Sequence, residues 1–218
     1  SAASRTLVLY DGLPLNDPFG GWVYWSRVNP DAIESVEVSR GASTSAFGDR
    51  AMGGVVALLT PAPSARRFSG AFETGDAGIA DVRGGYSDLF GKLGVAGSVR
   101  AFRSGGYFVV AEQDRGIVDR EADVDFVVGD LRLDLFRDRD HTTFRSNILT
   151  ERRQNGTALR ENSSAVGTAG VHYQRDSLSA TLYHSRGVLR STFSAVSDAR
   201  DSERLVLLQK VTSQDTGG

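Results

Sequence analysis

Residues 40–60 read RGASTSAFGDRAMGGVVALLT and decide how the rest of this chain is interpreted. The stretch contains four glycines, Gly41, Gly48, Gly53 and Gly54, and it ends in an apolar run rich in residues that favour β-strands. Glycine tolerates positive φ and lets another backbone approach closely. The stretch therefore predicts a tightly turned segment that leads into a buried strand, with a compact α/β piece before it and antiparallel strands after it.

Two motifs upstream belong with this stretch: LYDGLPLN at residues 9–16 and IESVEVSRG at residues 33–41. In order, spacing and glycine positions, the three segments resemble the second half of the plug domain of TonB-dependent outer-membrane receptors. The resemblance covers about residues 7–60. Its departures are mild, with Ala42 where the family usually has proline and Phe47 where it usually has tyrosine.

The resemblance implies a mostly β fold, namely the N-terminal part of a transmembrane antiparallel β-barrel with a small α/β plug domain. We expect residues 1–63 to form the C-terminal part of the plug and residues 64–218 to form about the first eight barrel strands. The chain is then an internal piece of a receptor, and the family's coupling segment lies before residue 1. With an open sheet edge, we expect the piece alone to be unstable.

Composition narrows the function classes. The 218 residues are 40% hydrophobic and 24% charged, with a formal net charge of −2 and no cysteine. A nucleic-acid binder would usually show a basic excess, and cysteine-based metal sites or disulfides are excluded. The three histidines have no metal-ligand spacing, and no catalytic constellation is evident. We therefore expect neither an enzyme nor a cofactor.

The loop that follows the first predicted strand (residues 6–10) is rich in aromatic side chains among glycines. Such side chains offer large faces and lose little entropy on binding, so they suit ligand contact. The alternative is that both tryptophans pack the loop onto its own domain. In the family this region faces the substrate, which makes the candidate substrate-binding residues Asp17, Phe19, Trp22, Tyr24 and Trp25.

Arg40 is the candidate for a contact between plug and barrel. In the family, the arginine of this Arg-Gly pair meets carboxylates on the inner barrel wall, because an unpaired buried charge is costly. A local pair with Glu37 or Glu34 on the plug surface is the alternative. Separately, residues 29–32 predict one helical turn, with Asn29 as N-cap and proline at the first position.

From residue 66 onward the sequence shows eight segments of period-2 alternation. They are 66–75, 80–87, 92–103, 125–137, 142–152, 166–175, 178–186 and 203–211. Connections between them alternate between tight and long, as in outer-membrane barrels, with long polar links at 104–124, 153–163 and 188–201. Alternation alone does not tell a membrane barrel from a soluble sandwich. If the barrel is right, Leu131, Leu133 and Leu135 face outward while Asp130 and Arg132 face inward.

The resulting functional expectation is an outer-membrane receptor of Gram-negative type that imports a scarce solute such as a siderophore, cobalamin or a carbohydrate. Its expected partners are TonB with the inner-membrane energising complex, the outer-membrane lipid, and the nutrient. Nucleic acid is not an expected partner. Two alternatives stay open: a passive, plugged, porin-like channel, and a soluble β-sandwich binding module.

Overall fold

The computed structural model describes residues 5–41 and 51–218 and contains two sheets. The inner sheet has four strands: β1 (Thr6–Tyr10), β2 (Leu13–Pro14), β3 (Ser35–Arg40) and β4 (Gly54–Leu59). The wall sheet has eight strands: β5 (Arg67–Gly75), β6 (Ile79–Phe90), β7 (Leu93–Phe108), β8 (Glu121–Phe136), β9 (Asp140–Gln154), β10 (Glu161–Arg175), β11 (Leu178–Val196) and β12 (Glu203–Gly217). Short 3₁₀ turns span Trp25–Arg27, Pro30–Ala32 and Glu112–Asp114.

The inner sheet has the strand order β2-β1-β4-β3, with β1 and β4 parallel. β1 is buried on both faces, which explains why its sequence is a nearly continuous apolar run. Leu7 and Leu9 pack on one face with Ala51 and Val55. On the other face, Val8 and Tyr10 belong to a cluster completed by Leu15 and Leu58. The inner unit therefore has its own core.

The glycine stretch enters this sheet as the sequence predicts. Gly54 has φ of +133°, and a Cβ added there would lie 2.5 Å from the carbonyl oxygen of Ser39 on β3. Gly41 has φ of +90°, and a Cβ on Gly53 would lie 3.1 Å from the carbonyl oxygen of Arg5. These positions need glycine for conformation or for close approach. Gly48 and the rest of residues 42–50 lie outside the described residues.

The predicted turn at residues 29–32 is confirmed. Pro30–Ala32 form a 3₁₀ turn, and the Asn29 side chain accepts a hydrogen bond from the backbone N–H of Asp31. A second turn at Trp25–Arg27 has no counterpart in the sequence prediction. Within the described ranges, no helix has both the length and the apolar content needed to cross a membrane.

The wall sheet is a meander in which every strand pairs antiparallel with its sequence neighbours. The connections at 91–92, 137–139 and 176–177 are tight, and they lie at one end of the sheet. The longer ones, 109–120, 155–160 and 197–202, lie at the other end together with the short turn at 76–78. The predicted alternation of tight and long connections is confirmed, and the short turn at 76–78 is its one exception among the described strands.

The strands are longer than predicted, and the predicted polar links are correspondingly too long. The most marked difference is on β11, where residues 188–196 continue the strand rather than starting a loop. Backbone pairing with β12 carries the strand through this stretch, in which apolar and polar side chains do not alternate strictly and the register shifts between Phe193 and Ser194. A ladder of backbone hydrogen bonds needs no strict alternation of side chains, so the side-chain pattern placed the strand end too early.

The polarity of the wall sheet is inverted relative to a soluble sandwich. On β8, Asp134 is fully buried toward the inner unit, and Asp130 and Arg132 on the same face are half-buried. The opposite face carries Leu131 and Val127, which are 38% and 48% exposed. Apolar side chains thus point away from the enclosed unit, which fits the fold class predicted from the sequence.

Candidate functional site: the aromatic loop and the contacts of the inner unit with the wall

The aromatic loop (residues 16–25) is held in one shape by two polar side chains at its start. Asn16 accepts a hydrogen bond from the Val8 backbone at 2.8 Å and donates to the Gly21 carbonyl oxygen at 3.0 Å. Asp17 is buried, and its Oδ1 accepts from the backbone N–H groups of Phe19 and Gly20, both at 2.9 Å. Asp17 therefore shapes the loop rather than presenting its carboxylate to solvent.

The four aromatic residues of the loop divide into two pairs by exposure. Phe19 and Trp25 are 60% and 59% exposed, so their faces are open to a ligand. Trp22 lies edge-on between Phe19 and Tyr24, with ring centroids 6.3 Å and 6.1 Å away. Tyr24 packs against a buried cluster on the wall formed by Phe126, Val128 and Leu149. Both interpretations of the loop are therefore supported in part, because Trp22 and Tyr24 pack against neighbouring side chains while Phe19 and Trp25 are exposed.

Arg27 makes the most buried polar contact between the inner unit and the wall. It is 1% exposed, and its guanidinium donates to Asn147 Oδ1 and Thr168 Oγ1, each at 2.7 Å. Asn147 returns a hydrogen bond to the Arg27 carbonyl oxygen at 3.0 Å and donates to Asp130 at 2.8 Å. Burial lowers the pKa of Arg27 to about 10, so the guanidinium remains charged at neutral pH. Next to it, Ser26 donates to Glu151 of β9.

A second polar contact centres on Asp11, which occupies a turn with φ of +44°. Asp11 forms an ion pair with Arg145 of β9 and accepts hydrogen bonds from the backbone and hydroxyl of Thr60 at 2.8 Å and 2.7 Å. Arg145 is 4% exposed, and its guanidinium lies 4.8 Å from the ring centroid of Tyr10. Thr60 also receives a hydrogen bond from Arg132 of β8.

A cavity of about 310 Å³ separates the inner unit from the wall beside this second contact. Tyr10, Asp31 and Thr60 contribute from the inner unit, and small residues such as Ser69, Gly85 and Ser98 contribute from the wall. Burial raises the pKa of Tyr10. The inner unit is therefore held by discrete polar contacts with space between them, rather than by a continuous apolar seam.

The sequence analysis did not anticipate Arg27, Asp11 or Arg145 as contact residues. Arg40, Glu37 and Glu34 are exposed on or next to β3, an edge strand of the inner sheet. The predicted contact of Arg40 with carboxylates of the barrel wall is not tested by β5–β12 and stays a prediction, as does its alternative, a local pair with Glu37 or Glu34. A buried arginine has no signature in sequence, because neither its burial nor its partners can be read from neighbouring residues.

The three longer connections are tied to one another at the end of the wall near the aromatic loop. Asp119 is buried and pairs with Arg200, and together with the backbone N–H of Gly116 this pair lowers the pKa of Asp119 to about 2. Glu203 accepts from Thr157 at 2.5 Å and from Ser194 at 2.6 Å. From sequence alone, the acidic residues between 119 and 125 predict a solvated acidic loop. That prediction is wrong at Asp119, because the cross-loop Arg200 neutralises its charge, and residues 121–125 belong to β8.

Metal ligation finds no support in the part of the chain that is described, where no three His, Asp or Glu side chains converge as a metal site would require. The histidines are used in pairs with polar neighbours instead. His141 contacts Asp134 at 2.7 Å, and His172 contacts Thr181 at 2.9 Å.

Comparison with known proteins places these features in a family. The family described as TonB-dependent Receptor Plug Domain matches residues 1–55. None of the curated proteins compared matches the sequence. Among solved structures, the ferric enterobactin receptor PfeA of Pseudomonas aeruginosa superposes with a TM-score of 0.67 at 17% identity, covering 98% of this chain and 38% of that one. The siderophore receptor PiuA of Acinetobacter baumannii gives a TM-score of 0.60 at 10% identity, covering 88% and 30%.

This chain spans less than half the length of these receptors, and at such identities the structural likeness concerns the fold. The match over residues 1–55 identifies the inner unit, and the superposition covers the wall strands as well. Residues 1–55 therefore match the family of TonB-dependent receptor plug domains, and the chain as a whole has the fold of a plug segment beside eight adjoining strands of a barrel wall.

Proposed function

We propose that this chain is part of an outer-membrane receptor that imports a ferric siderophore, with the plug gating the barrel and TonB supplying the energy. The observation that carries the proposal is how the plug is held. Arg27, Asp11 and Thr60 contact the wall by hydrogen bonds and ion pairs across a partly open interface. Water can replace such bonds when the plug moves, at a modest net cost per bond. A continuous apolar seam would resist displacement more strongly.

The aromatic loop supports the substrate side of the proposal. Phe19 and Trp25 lie exposed beside the longer connections, on a loop whose backbone is fixed by Asn16 and Asp17. Rigid aromatic faces bind flat, partly apolar ligands at low entropic cost. The structural neighbours are named as siderophore receptors, which favours a ferric chelate over cobalamin or a carbohydrate. The predicted site Asp17, Phe19, Trp22, Tyr24 and Trp25 is retained, with the contact role given to Phe19, Trp22 and Trp25.

The remaining roles follow from the same proposal. The chain acts in transport and not in catalysis, its setting is the Gram-negative outer membrane, and its partners are TonB, the inner-membrane energising complex and the surrounding lipid. Arg40, Glu37 and Glu34 are proposed to contact barrel strands other than β5–β12. Residues 1–63 and 64–218 are proposed as the plug and barrel portions.

Energy-dependent uptake tests this function. Cells that express the intact receptor as their only siderophore receptor are given a panel of labelled ferric siderophores, enterobactin among them, with and without TonB. We expect surface binding of one siderophore in both strains and accumulation only when TonB is present. Accumulation that is equal without TonB would instead indicate a passive channel, and the absence of binding to every siderophore would overturn the proposed substrate class.

Replacing Trp22 and Trp25 together with alanine is expected to weaken siderophore binding by at least tenfold, because truncation of interface tryptophans commonly costs about 2 kcal/mol or more. Binding of the labelled ferric siderophore to whole cells measures the effect. The matched control is Phe68→Ala, which removes an aromatic side chain that is 74% exposed on the outward face of the wall. Unchanged affinity in the double variant would contradict a binding role for the loop.

A further inference from the structure

Arg83 of β6 joins the plug to the wall on the β5–β6 side of the sheet, away from the Arg27 contact with β9 and β10. One of its terminal nitrogens forms an ion pair with Asp31 of the plug at 3.0 Å, and the other donates to Glu73 of β5. Asp81, on the same inward face of β6, lies 3.9 Å from Arg83 Nε. A single guanidinium is therefore shared between one carboxylate of the plug and two carboxylates of the wall.

Two other buried arginines of the interface have no such reserve of partners. Arg145 pairs with Asp11 of the plug, and Arg27 is held by neutral side chains of the wall. In the described ranges, neither has a wall carboxylate within ion-pair distance. Separating the plug from the wall at either contact therefore leaves a buried cation without its partners, which is costly.

Separation at Arg83 leaves that cation paired. When Asp31 withdraws with the plug, Glu73 stays bonded to the guanidinium. The buried Arg83 Nε has no hydrogen-bond partner in the part of the chain that is described, so it is free to turn toward Asp81. Two carboxylates that share one guanidinium also repel each other, and this repulsion ends when one of them leaves. The Arg83 contact is therefore easier to break than the contacts of Arg27 and Arg145.

The cavity between plug and wall lies directly beside this contact. Asp31 and Arg83 both line it, and Arg83 is the lining residue of β6 nearest to the turn at 76–78, at the end of the longer connections. Along the cavity, the inward face of β5–β7 presents a set of small residues, namely Ser69, Ala71, Gly85, Ser87, Ala96 and Ser98. Movement of Asp31 away from Arg83 therefore extends this space toward the aromatic loop without displacing a large side chain of β7.

We propose that the plug separates from the wall first at β5–β6, where Arg83 exchanges Asp31 of the plug for the wall carboxylates Glu73 and Asp81, and that this exchange opens the cavity toward the aromatic loop. The contacts of Arg27 and Arg145 hold the plug during this first step. The step rests on the proposed function of the plug as the gate of the barrel, and it specifies where the gate begins to open.

Chemical access to the cavity tests this order of separation. The intact receptor in detergent carries Ser98→Cys on the cavity wall as its only cysteine, and its rate of modification by a hydrophilic maleimide reports opening. Asp31→Asn is expected to raise this rate about two- to fivefold, the factor that a partly exposed ion pair contributes to an equilibrium. Glu73→Gln is expected to lower it by a similar factor, because Arg83 then depends more on Asp31. Misfolding would raise the rate and would not produce this decrease.

The double variant Asp31→Asn/Glu73→Gln distinguishes an exchange of partners from two independent attractions. Without Asp31 there is no competition for Arg83, so the double variant is expected to react as fast as Asp31→Asn alone. The matched control is Glu121→Gln, which removes an exposed carboxylate at the start of β8 and is expected to leave the rate unchanged.

Two results would overturn the proposal. A rate that Glu73→Gln leaves unchanged or raises would show that Glu73 does not compete with the plug for Arg83. A rate that Asp31→Asn leaves unchanged would show that the Asp31 contact does not close the cavity. The measurement needs neither TonB nor a siderophore, so its failure is distinguishable from failure of the proposed function, which siderophore binding and uptake test separately.

Discussion

Replacing Arg27 with methionine is expected to release the plug from the wall more than any other single change at this interface. Methionine keeps much of the side-chain length but donates no hydrogen bonds, so Asn147, Thr168 and the Leu15 carbonyl oxygen each lose a donor. Asp130 also loses a positive charge that interacts with it. Breaking a buried charged contact from one side typically costs about 3–5 kcal/mol. Docking of the plug should weaken by a similar amount.

Hydrogen exchange of the intact receptor in detergent measures this effect, because sub-global opening of the plug exposes the amides of β1 and β4. Exchange there is expected to accelerate by roughly two to four orders of magnitude in Arg27→Met, as a loss of about 3–5 kcal/mol implies. Arg27→Lys keeps the charge but lacks the planar guanidinium, so its exchange rate should lie between those of the wild type and Arg27→Met. Arg139→Met, at an exposed turn, serves as the control. Unaltered exchange of β1 and β4 in Arg27→Met would show that the Arg27 contact does not hold the plug.

The sequence predicted the two-sheet organisation because both parts carry local signals. Glycines at positions 41, 53 and 54 stand where the backbone requires them, and period-2 alternation marks every wall strand. The outward direction of the apolar side chains was also predicted from a local pattern, since leucines and charged residues alternate along β8. Such signals depend on neighbours within a few residues and are therefore visible in sequence.

The contacts between plug and wall could not be predicted in the same way. Arg27 meets Asn147 and Thr168 across separations of 120 and 141 residues, and nothing in the sequence around residue 27 indicates burial. The prediction for Arg40 rests on family resemblance, and this residue is exposed on the edge strand of the plug sheet.

Strand ends were the least predictable feature of the fold. On β11, residues 188–196 lack the strict alternation that marks a strand in sequence, but pairing with β12 extends the strand to Val196. The connections then become short enough for Asp119 to pair with Arg200 and for Glu203 to accept from Thr157. Tertiary pairing of loops therefore follows from strand lengths that composition does not set.

The Asp11–Arg145 pair offers a test in which two changes together are expected to be milder than one. Asn at position 11 tolerates the positive φ of this turn, so Asp11→Asn preserves the backbone. The change removes the negative charge opposite Arg145, and Arg145 is only 4% exposed. A buried guanidinium without its carboxylate is expected to cost about 3 kcal/mol in plug stability. Arg145→Gln alone leaves Asp11 with its two hydrogen bonds from Thr60 and should cost less.

The double variant Asp11→Asn/Arg145→Gln removes both charges, so we expect it to be more stable than Asp11→Asn by about 1–2 kcal/mol, a coupling that additive contributions would not give. The measurement is the guanidinium concentration at the midpoint of plug unfolding, monitored by hydrogen exchange of the β1 amides in the intact receptor. It is made on the wild type, the two single variants and the double variant. Thr212→Val on the outward face of β12 is the control for handling and detergent. Strict additivity of the two single changes would mean that Asp11 and Arg145 are neighbours without energetic coupling, and this ion pair would then contribute nothing specific to holding the plug.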